Sequence, residues 1–170
     1  ALPILQKHIA QLKNGKAPGY DDIPNEFLKH SPPKPLTVLT KFFNLILDSG
    51  LWPTDWSIGL IVPIYKNKGR IDDPNNYRGI TLLSCVSKLF TALLNTRLNS
   101  YLEETGLLGE EQAGFRAGYS TTDHIFTLHA VIELLLAKKQ RAYCAFVDYK
   151  KAFDSIDRSR SEEHTSELQS

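Results

Sequence analysis

The 170-residue chain is 42% apolar and 23% charged, which is enough apolar content to bury a core and to exclude wholesale disorder. No apolar run approaches the roughly 20 residues that span a bilayer, and no apolar segment behind a basic start indicates a secretory signal. The formal net charge of +1 by itself indicates no class of partner. Cys85 and Cys144 stand far apart without CxxC partners, so we expect reduced thiols of an intracellular protein, with neither a zinc site nor a disulfide framework. The chain begins at Ala1 and contains no methionine, so we expect further residues upstream.

The N-terminal part of the chain shows apolar residues at helical spacing. This spacing predicts a helix over residues 2–13, followed by a turn-rich segment. Pro24 suits the first turn of a short helix that runs through Leu28. Residues 31–35 (SPPKP) are expected to break the chain before a second amphipathic helix, which ends at Gly50.

The next segment has the pattern of a β-hairpin. Residues 57–65 alternate apolar side chains with the period of two that is typical of a strand. Pro63 places this strand at a sheet edge or at its own end, because proline cannot donate to a strand ladder. After the turn KNKG, residues 79–83 are the candidate partner strand.

Two helices and a strand are predicted in the C-terminal half. The helices cover residues 87–104, ending at Gly106, and residues 123–139. The second helix has a predicted inward face formed by Ile125, Leu128, Ile132 and Leu135. Residues 142–147 (AYCAFV) are nearly all apolar and fit a strand that is buried on both faces. Because helices and short strands are intermingled, the expected fold class is α+β or irregular α/β.

Asp148 follows that predicted strand directly. A rigid element can present a carboxylate to a cleft, and a hard cation such as Mg²⁺ binds oxygen ligands. From the residues alone, Asp148 is either a metal ligand or the cap of the helix expected after it.

Five segments of the chain contain recognisable sequence motifs in a fixed order. They are residues 14–28 (NGKAPGYDDIPNEFL), 60–69 (LIVPIYKNKG), 75–84 (NNYRGITLLS), 112–122 (QAGFRAGYSTT) and 145–155 (AFVDYKKAFDS). They resemble, in turn, the N-terminal extension, two fingers motifs, the Q-x-G-F-R segment and the first palm motif of non-LTR retrotransposon reverse transcriptases (long interspersed element type, jockey-like). One departure is the glycine of YRGI, where many members of that family have proline.

The resemblance implies a truncated α+β domain with a partial right-hand polymerase fold. Residues 1–159 are then a partial reverse transcriptase domain, with the N-terminal extension, the fingers and the first palm strand, and without the thumb and the second catalytic strand. It implies an RNA-directed DNA polymerase that uses two Mg²⁺ ions, with an RNA template, a DNA primer and deoxynucleoside triphosphates as partners, in the cytoplasm and nucleus. Since no adjacent Asp-Asp pair follows Asp148, we expect the chain alone to be inactive.

The resemblance also implies roles around the palm motif. Asp148 is the catalytic metal-binding aspartate, and the carbonyl of Tyr149 adds to the same site. Phe153 lies under the sugar of the incoming nucleotide and excludes a 2′-hydroxyl. Without the resemblance, Phe153 would be read as an ordinary core aromatic.

Further roles are implied for basic residues. Arg78 and Lys66, with Lys68 as a competing choice, bind the triphosphate. Gly114 and Arg116 approach the template backbone. The alternatives are surface bases for the first group, and a plain turn with a surface arginine for the second.

Residues 160–170 (RSEEHTSELQS) resemble a translated sequencing adapter, so we expect an artefactual or disordered tail. Without this segment the chain has 19 basic and 16 acidic residues, a net charge of +3, which permits nucleic-acid binding. Two alternatives to a polymerase fragment stay open: a nucleic-acid-binding remnant without chemistry, and an intron-encoded maturase of the same fold.

Overall fold

The computed structural model describes residues 2–149 and residue 152, and divides the chain into two compact units, Ala1–Gly109 and Glu110–Ser170. The described residues form five α-helices and a two-stranded sheet. The elements are α1 (Leu2–Gln11), α2 (Asn25–Lys29), α3 (Pro33–Ser49), β1 (Leu60–Tyr65), β2 (Tyr77–Leu82), α4 (Cys85–Thr105) and α5 (Thr121–Ala137). The mixture of helix and strand that the sequence predicts is therefore confirmed. None of the described helices is both long and apolar enough to cross a membrane.

The core of the first unit lies among α1, α2, α3 and α4. Leu5 and Ile9 lie one turn apart on α1, and both are buried because α1 packs against the three other helices. The buried apolar residues are Leu5, Ile9, Leu28, Leu36, Phe43, Ile46, Trp56, Cys85, Leu89 and Phe90. The ring of Trp56 lies 5.6 Å from that of Phe90 and 5.2 Å from that of Trp52, between centroids. Both tryptophans therefore contribute to packing.

The helix ends follow local chemistry, with one correction. Gly50 and Gly106 end α3 and α4 with φ of +67° and +64°, a left-handed conformation that costs glycine little. The expected break over residues 31–35 is wrong in part, because α3 already begins at Pro33. Proline is tolerated there since the first N–H groups of a helix have no intrahelical partner.

The predicted hairpin is confirmed. β1 and β2 pair antiparallel, with Val62 opposite Ile80 and Ile64 opposite Arg78. In a two-stranded sheet both strands are edges, so Pro63 can sit in β1 without removing a bond from an inner ladder.

The second unit departs from prediction at α5. A capping box starts the helix, since the Ser120 hydroxyl accepts from the Asp123 amide and the Asp123 carboxylate accepts from the Ser120 amide. However, no residue of α5 is buried, and Ile125 is 68% exposed. The predicted inward face is therefore wrong at Ile125 and Leu128, whereas Ile132 and Leu135 on the same face are half-buried. An apolar helix face is buried only against a second element, and α5 is the sole regular element described in this unit.

The predicted strand over residues 142–147 is also wrong. The segment has no regular structure, and Tyr143 and Phe146 are 85% and 84% exposed. A strand requires hydrogen bonds to a neighbouring strand. In the described part of the chain β1 and β2 pair with each other, and residues 142–147 have no ladder partner. The first palm strand is therefore not formed in the described residues.

Candidate functional site

Two basic residues share one face of the hairpin. Arg78 lies directly opposite Ile64 in the register, and it is exposed. Lys66 follows Ile64 by two residues, and its amide continues the ladder by donating to the Asn76 carbonyl at 2.8 Å. Because side chains two residues apart lie on the same face of a strand, Lys66 and Arg78 lie on one face. The two residues come from different sequence motifs, and the antiparallel pairing of the hairpin gives them a shared face.

The loop between the two strands is braced by its own side chains. Tyr65 donates its hydroxyl proton to the Gly69 carbonyl at 2.6 Å, and Tyr77 donates to the Ile71 carbonyl at 2.9 Å. The Lys66 ammonium donates to the Asn75 carbonyl at 2.8 Å. These bonds tie both strand ends to the loop backbone and give Lys66 a defined position.

An ion pair in the same loop escaped the sequence analysis. Arg70 donates to both carboxylate oxygens of Asp72, at 2.9 and 2.6 Å. The side-chain hydrogen bond raises the pKa of Arg70 and lowers the pKa of Asp72. The Arg70 charge is thus largely compensated within the loop, which favours Arg78 and Lys66 as anion-binding groups. The sequence feature that could have indicated this ion pair is an arginine followed two residues later by an aspartate in a turn.

Arg116 is held in a defined orientation by its own loop. Its guanidinium lies 4.5 Å from the centroid of the Tyr119 ring and donates to the Gln112 carbonyl at 3.3 Å. Tyr119 in turn donates its hydroxyl proton to Glu110 at 2.7 Å. A cation stacked on an aromatic ring is pre-oriented, so Arg116 differs from a freely rotating surface arginine.

There is open space beside the Cα atom of Gly114. A Cβ added there would meet only the Gln112 amide nitrogen, at 3.4 Å, and the same amide donates to the Gly114 carbonyl at 3.0 Å. The space around Gly114 is therefore limited by a single side-chain atom.

Phe115, between these two residues, was missed by the sequence analysis. Its φ is +64°, and its side chain is 93% exposed. The left-handed conformation costs a residue with a β-carbon about 1–2 kcal/mol. The sequence feature that could have drawn attention to Phe115 is an aromatic residue between a glycine and an arginine in a turn-rich segment.

Asp148 and Tyr149 are exposed, in a segment without regular structure. Among the residues that the structure describes, no group of three or more His, Cys, Asp or Glu side chains could hold a metal ion. Those residues therefore do not by themselves fit a two-metal site, since Asp148 supplies a single carboxylate. Phe153 and residues 160–170 lie outside the described residues.

The site residues divide between the two units. Lys66 and Arg78 belong to the first unit, whereas Gly114, Arg116 and Asp148 belong to the second. Within the first unit, the hairpin carries Lys66 and Arg78 on one face. Within the second, Gln112 contacts both Gly114 and Arg116.

Comparison with known proteins gives matches to a reverse transcriptase family and to RNA-directed DNA polymerases. The family described as reverse transcriptase (RNA-dependent DNA polymerase) matches residues 64–169. A probable RNA-directed DNA polymerase from transposon X-element of Drosophila melanogaster is 38% identical over 151 residues, covering 87% of this chain and 16% of that protein. The corresponding probable polymerase from transposon BS of the same organism is 35% identical over 150 residues, with the same coverage of 87% and 16%.

The RNA-directed DNA polymerase from mobile element jockey of Drosophila melanogaster is 32% identical over 151 residues, again 87% of this chain and 16% of that protein. The chain thus spans about one sixth of the length of these curated relatives. The family match contains all of the site residues named above, and it extends into residues 160–170.

Proposed function

The chain belongs to the reverse transcriptase family, and from this membership we propose that it is part of an RNA-directed DNA polymerase of a non-LTR retrotransposon. The observation that carries the proposal is the hairpin in the family-matched region: Arg78 lies opposite Ile64 in the register, and Lys66, one residue past β1, continues the ladder by donating to the Asn76 carbonyl. The relatives are named for transposons and mobile elements, which favours this origin over an intron maturase.

We assign residues 1–159 to the N-terminal extension, the fingers and the start of the palm of a right-hand polymerase. The β1–β2 hairpin carries the two fingers motifs. The assignment is supported by the antiparallel pairing of β1 and β2, which lie in the two segments that the sequence predicts as a hairpin.

The hairpin face is proposed to bind the triphosphate of the incoming nucleotide. Phosphoryl transfer is promoted mainly by positioning and by neutralising charge on the phosphate oxygens. Arg78 presents a planar fork that matches two such oxygens. Lys66 uses one of its three N–H donors for the Asn75 carbonyl and can direct the others to the ligand. Lys68, in the same loop, is the competing cation.

Asp148 is proposed as one ligand of a Mg²⁺ ion, with the Tyr149 carbonyl as a further oxygen donor. Two-metal catalysis needs several oxygen ligands for each ion. The described residues supply one carboxylate to that set, so the remaining ligands are expected from residues outside the described part. Phe153 is proposed, from the family resemblance, to select deoxyribose.

The loop that holds Gly114 and Arg116 is proposed to contact the template backbone. Arg116 is pre-oriented by Tyr119, and the open space at Gly114 admits a phosphate or sugar. Contacts of this kind fix the position of a strand without reading its sequence.

A second candidate is a nucleic-acid-binding module without chemistry. One observation favours it for this chain: the binding loops are internally braced, while Asp148 stands in a segment without regular structure. The two candidates differ in whether Asp148 has a role.

Primer extension on an RNA template tests the proposal. In the longer protein that contains this chain, Asp148→Asn should abolish Mg²⁺-dependent extension, because a neutral amide is a poor ligand for Mg²⁺. Asp48→Asn, the same chemical change at an exposed position of α3, is the control and should retain activity. Phe153→Ala should admit ribonucleotides while some activity remains. The 170-residue chain alone should not extend the primer, and extension by it, or by the Asp148→Asn protein, would contradict the mechanism.

A further inference from the structure

A small pocket opens between α1, α3 and α4 of the first unit, and its volume is about 100 Å³. The floor of the pocket is part of the core, because Leu5, Phe43 and Phe90 are buried there. The rim is open to solvent, since Ile4 and Leu47 are 57% and 45% exposed. The pocket is therefore a depression that reaches the core, and a ligand can enter it from outside.

The size of the pocket limits what it can hold. Pockets that bind whole small molecules commonly have volumes of about 300–1,000 Å³. An apolar cavity of about 150 Å³ is filled by a molecule as small as benzene. At about 100 Å³ this pocket accommodates one branched aliphatic side chain, such as that of leucine, and the rest of the ligand lies outside. The volume therefore favours a side chain of a polypeptide over a cofactor.

The polar residues of the lining indicate the charge of the ligand. The Thr40 hydroxyl donates to the Leu36 carbonyl at 2.8 Å, so it has a partner already. Asn44 and Arg97 are exposed, and within the described part of the chain their side chains form no hydrogen bond or ion pair. Among the described residues that line the pocket, Arg97 is the one charged residue. Its guanidinium is complementary to a carboxylate, which an arginine binds through two parallel N–H donors.

We propose that this pocket binds a partner polypeptide through one leucine-like side chain that lies next to an acidic residue. The aliphatic side chain fills the pocket over Phe43 and Phe90, the acidic residue pairs with Arg97, and the Asn44 amide binds the partner backbone. Burial of a side chain of that size increases affinity by about tenfold to a hundredfold. The pocket contains none of the residues assigned to nucleotide, metal or template binding, so the inference does not depend on the proposed function.

Titration followed by nuclear magnetic resonance tests the proposal on the 170-residue chain. The probe is the capped tripeptide acetyl-Glu-Leu-Glu-amide, and the methyl signals of Ile4, Leu47 and Leu94 report on the pocket. We expect saturable shifts with a Kd on the order of 1 mM, because one pocket and one ion pair give little affinity after the cost of association.

Two further tripeptides separate the apolar and the charged contribution. Acetyl-Glu-Ala-Glu-amide should bind at least about tenfold more weakly, because it leaves the pocket unfilled. Acetyl-Gln-Leu-Gln-amide should bind about twofold to fivefold more weakly, a modest loss because Arg97 is exposed and solvent screens its ion pair.

Variants of the chain separate a binding site from a structural effect. Leu47→Trp puts an indole at the open rim, where it fills the pocket, so the shifts at Ile4 and Leu94 should disappear without a fall in Tm. Leu45→Trp, at a 62% exposed position of α3 outside the lining, is the matched control and should bind like the unmodified chain.

The charged contact has its own pair of variants. Arg97→Gln should bind the Glu and Gln tripeptides equally, because the preference for a carboxylate is lost. Arg141→Gln, at an exposed position outside the lining, should keep that preference.

Four other outcomes would overturn the proposal. Absence of saturable shifts, or shifts that Leu47→Trp leaves unchanged, would show that no side chain enters the pocket. Equal binding of the Glu and Gln tripeptides by the unmodified chain would refute an acidic partner. Methyl shifts that grow with protein concentration in the absence of tripeptide would indicate that a second copy occupies the pocket. If the longer protein fails to bind the tripeptide that the 170-residue chain binds, another part of the same protein covers the pocket.

Discussion

Replacement of Gly19 by alanine tests how the segment of residues 14–28 is held against the rest of the first unit. Gly19 lies against the backbone that joins β2 to α4. A Cβ at residue 19 would lie 2.4 Å from the carbonyl carbon of Leu83, 2.5 Å from the amide nitrogen of Ser84 and 2.6 Å from the Leu83 oxygen. All three are backbone atoms, which cannot rotate away as the end of a side chain can. Either the Gly19 loop or the start of α4 must therefore move.

The cost has two sources. Overpacking of a close contact costs about 1–3 kcal/mol. Ser84 is also the N-cap of α4, since its hydroxyl accepts from the amides of Val86 at 3.2 Å and Ser87 at 3.4 Å, so moving it disturbs the cap. Loss of such a cap costs about 1 kcal/mol. We expect Gly19→Ala to lower the free energy of unfolding by about 2–4 kcal/mol, and Tm by on the order of 10 °C.

Urea denaturation followed by far-ultraviolet circular dichroism measures this effect. Gly15→Ala is the matched control in the same loop, because nothing lies within 4 Å of its added Cβ and only its φ of +67° opposes the change. Its net cost should be about 1 kcal/mol, since alanine also reduces the entropy of the unfolded chain. If Gly19→Ala costs no more than Gly15→Ala at an unchanged m-value, the proposed contact does not hold the loop.

Three other predictions follow from the site and the chain ends. Hydrogen bonds from Ser120 lower the pKa of Asp123, so the capping box contributes fully above the ordinary pKa of 3.8 and is lost as the pH falls towards the lowered value. Circular dichroism during acid titration should show α5 unwinding there, with less pH dependence in Ser120→Ala. In the longer protein, Arg78→Ala should raise KM for deoxynucleoside triphosphates by about 10-fold to 100-fold, while Lys41→Ala on α3 should not, and equal effects would argue against a specific role. Deletion of residues 160–170 should leave Tm unchanged within error, and a clear loss would show that the segment belongs to the fold.

The elements that could be predicted from the sequence are those determined by short-range interactions. The spacing of Leu5 and Ile9 predicts α1 because residues four apart share a helix face. Gly50 and Gly106 end their helices because glycine adopts a left-handed conformation at little cost. Alternating apolar residues predicted the hairpin, and the same period of two accounts for Lys66 and Arg78 sharing a face.

The predictions that failed depend on partners that a local pattern does not specify. The apolar residues of 142–147 are compatible with a buried strand, but a strand forms only beside another strand. Likewise, the apolar face of α5 requires a second element against which to pack. At the site, the Arg70–Asp72 pair and the left-handed Phe115 depend on loop geometry, and no spacing rule for helices or strands predicts either.

The candidate binding and catalytic surfaces differ in what they require from the rest of the protein. The hairpin loop is fixed by Tyr65, Tyr77 and Lys66, and the loop of Arg116 is fixed by hydrogen bonds within residues 110–119. Both surfaces are organised by short-range contacts, so a triphosphate or a single strand can be bound with little further ordering. Asp148 has no such support, since it lies in a segment without regular structure. A carboxylate becomes a precise metal ligand only on a rigid element. We therefore expect the chain alone to bind RNA and nucleotides, and catalysis to require a further strand that would pair with residues 142–148.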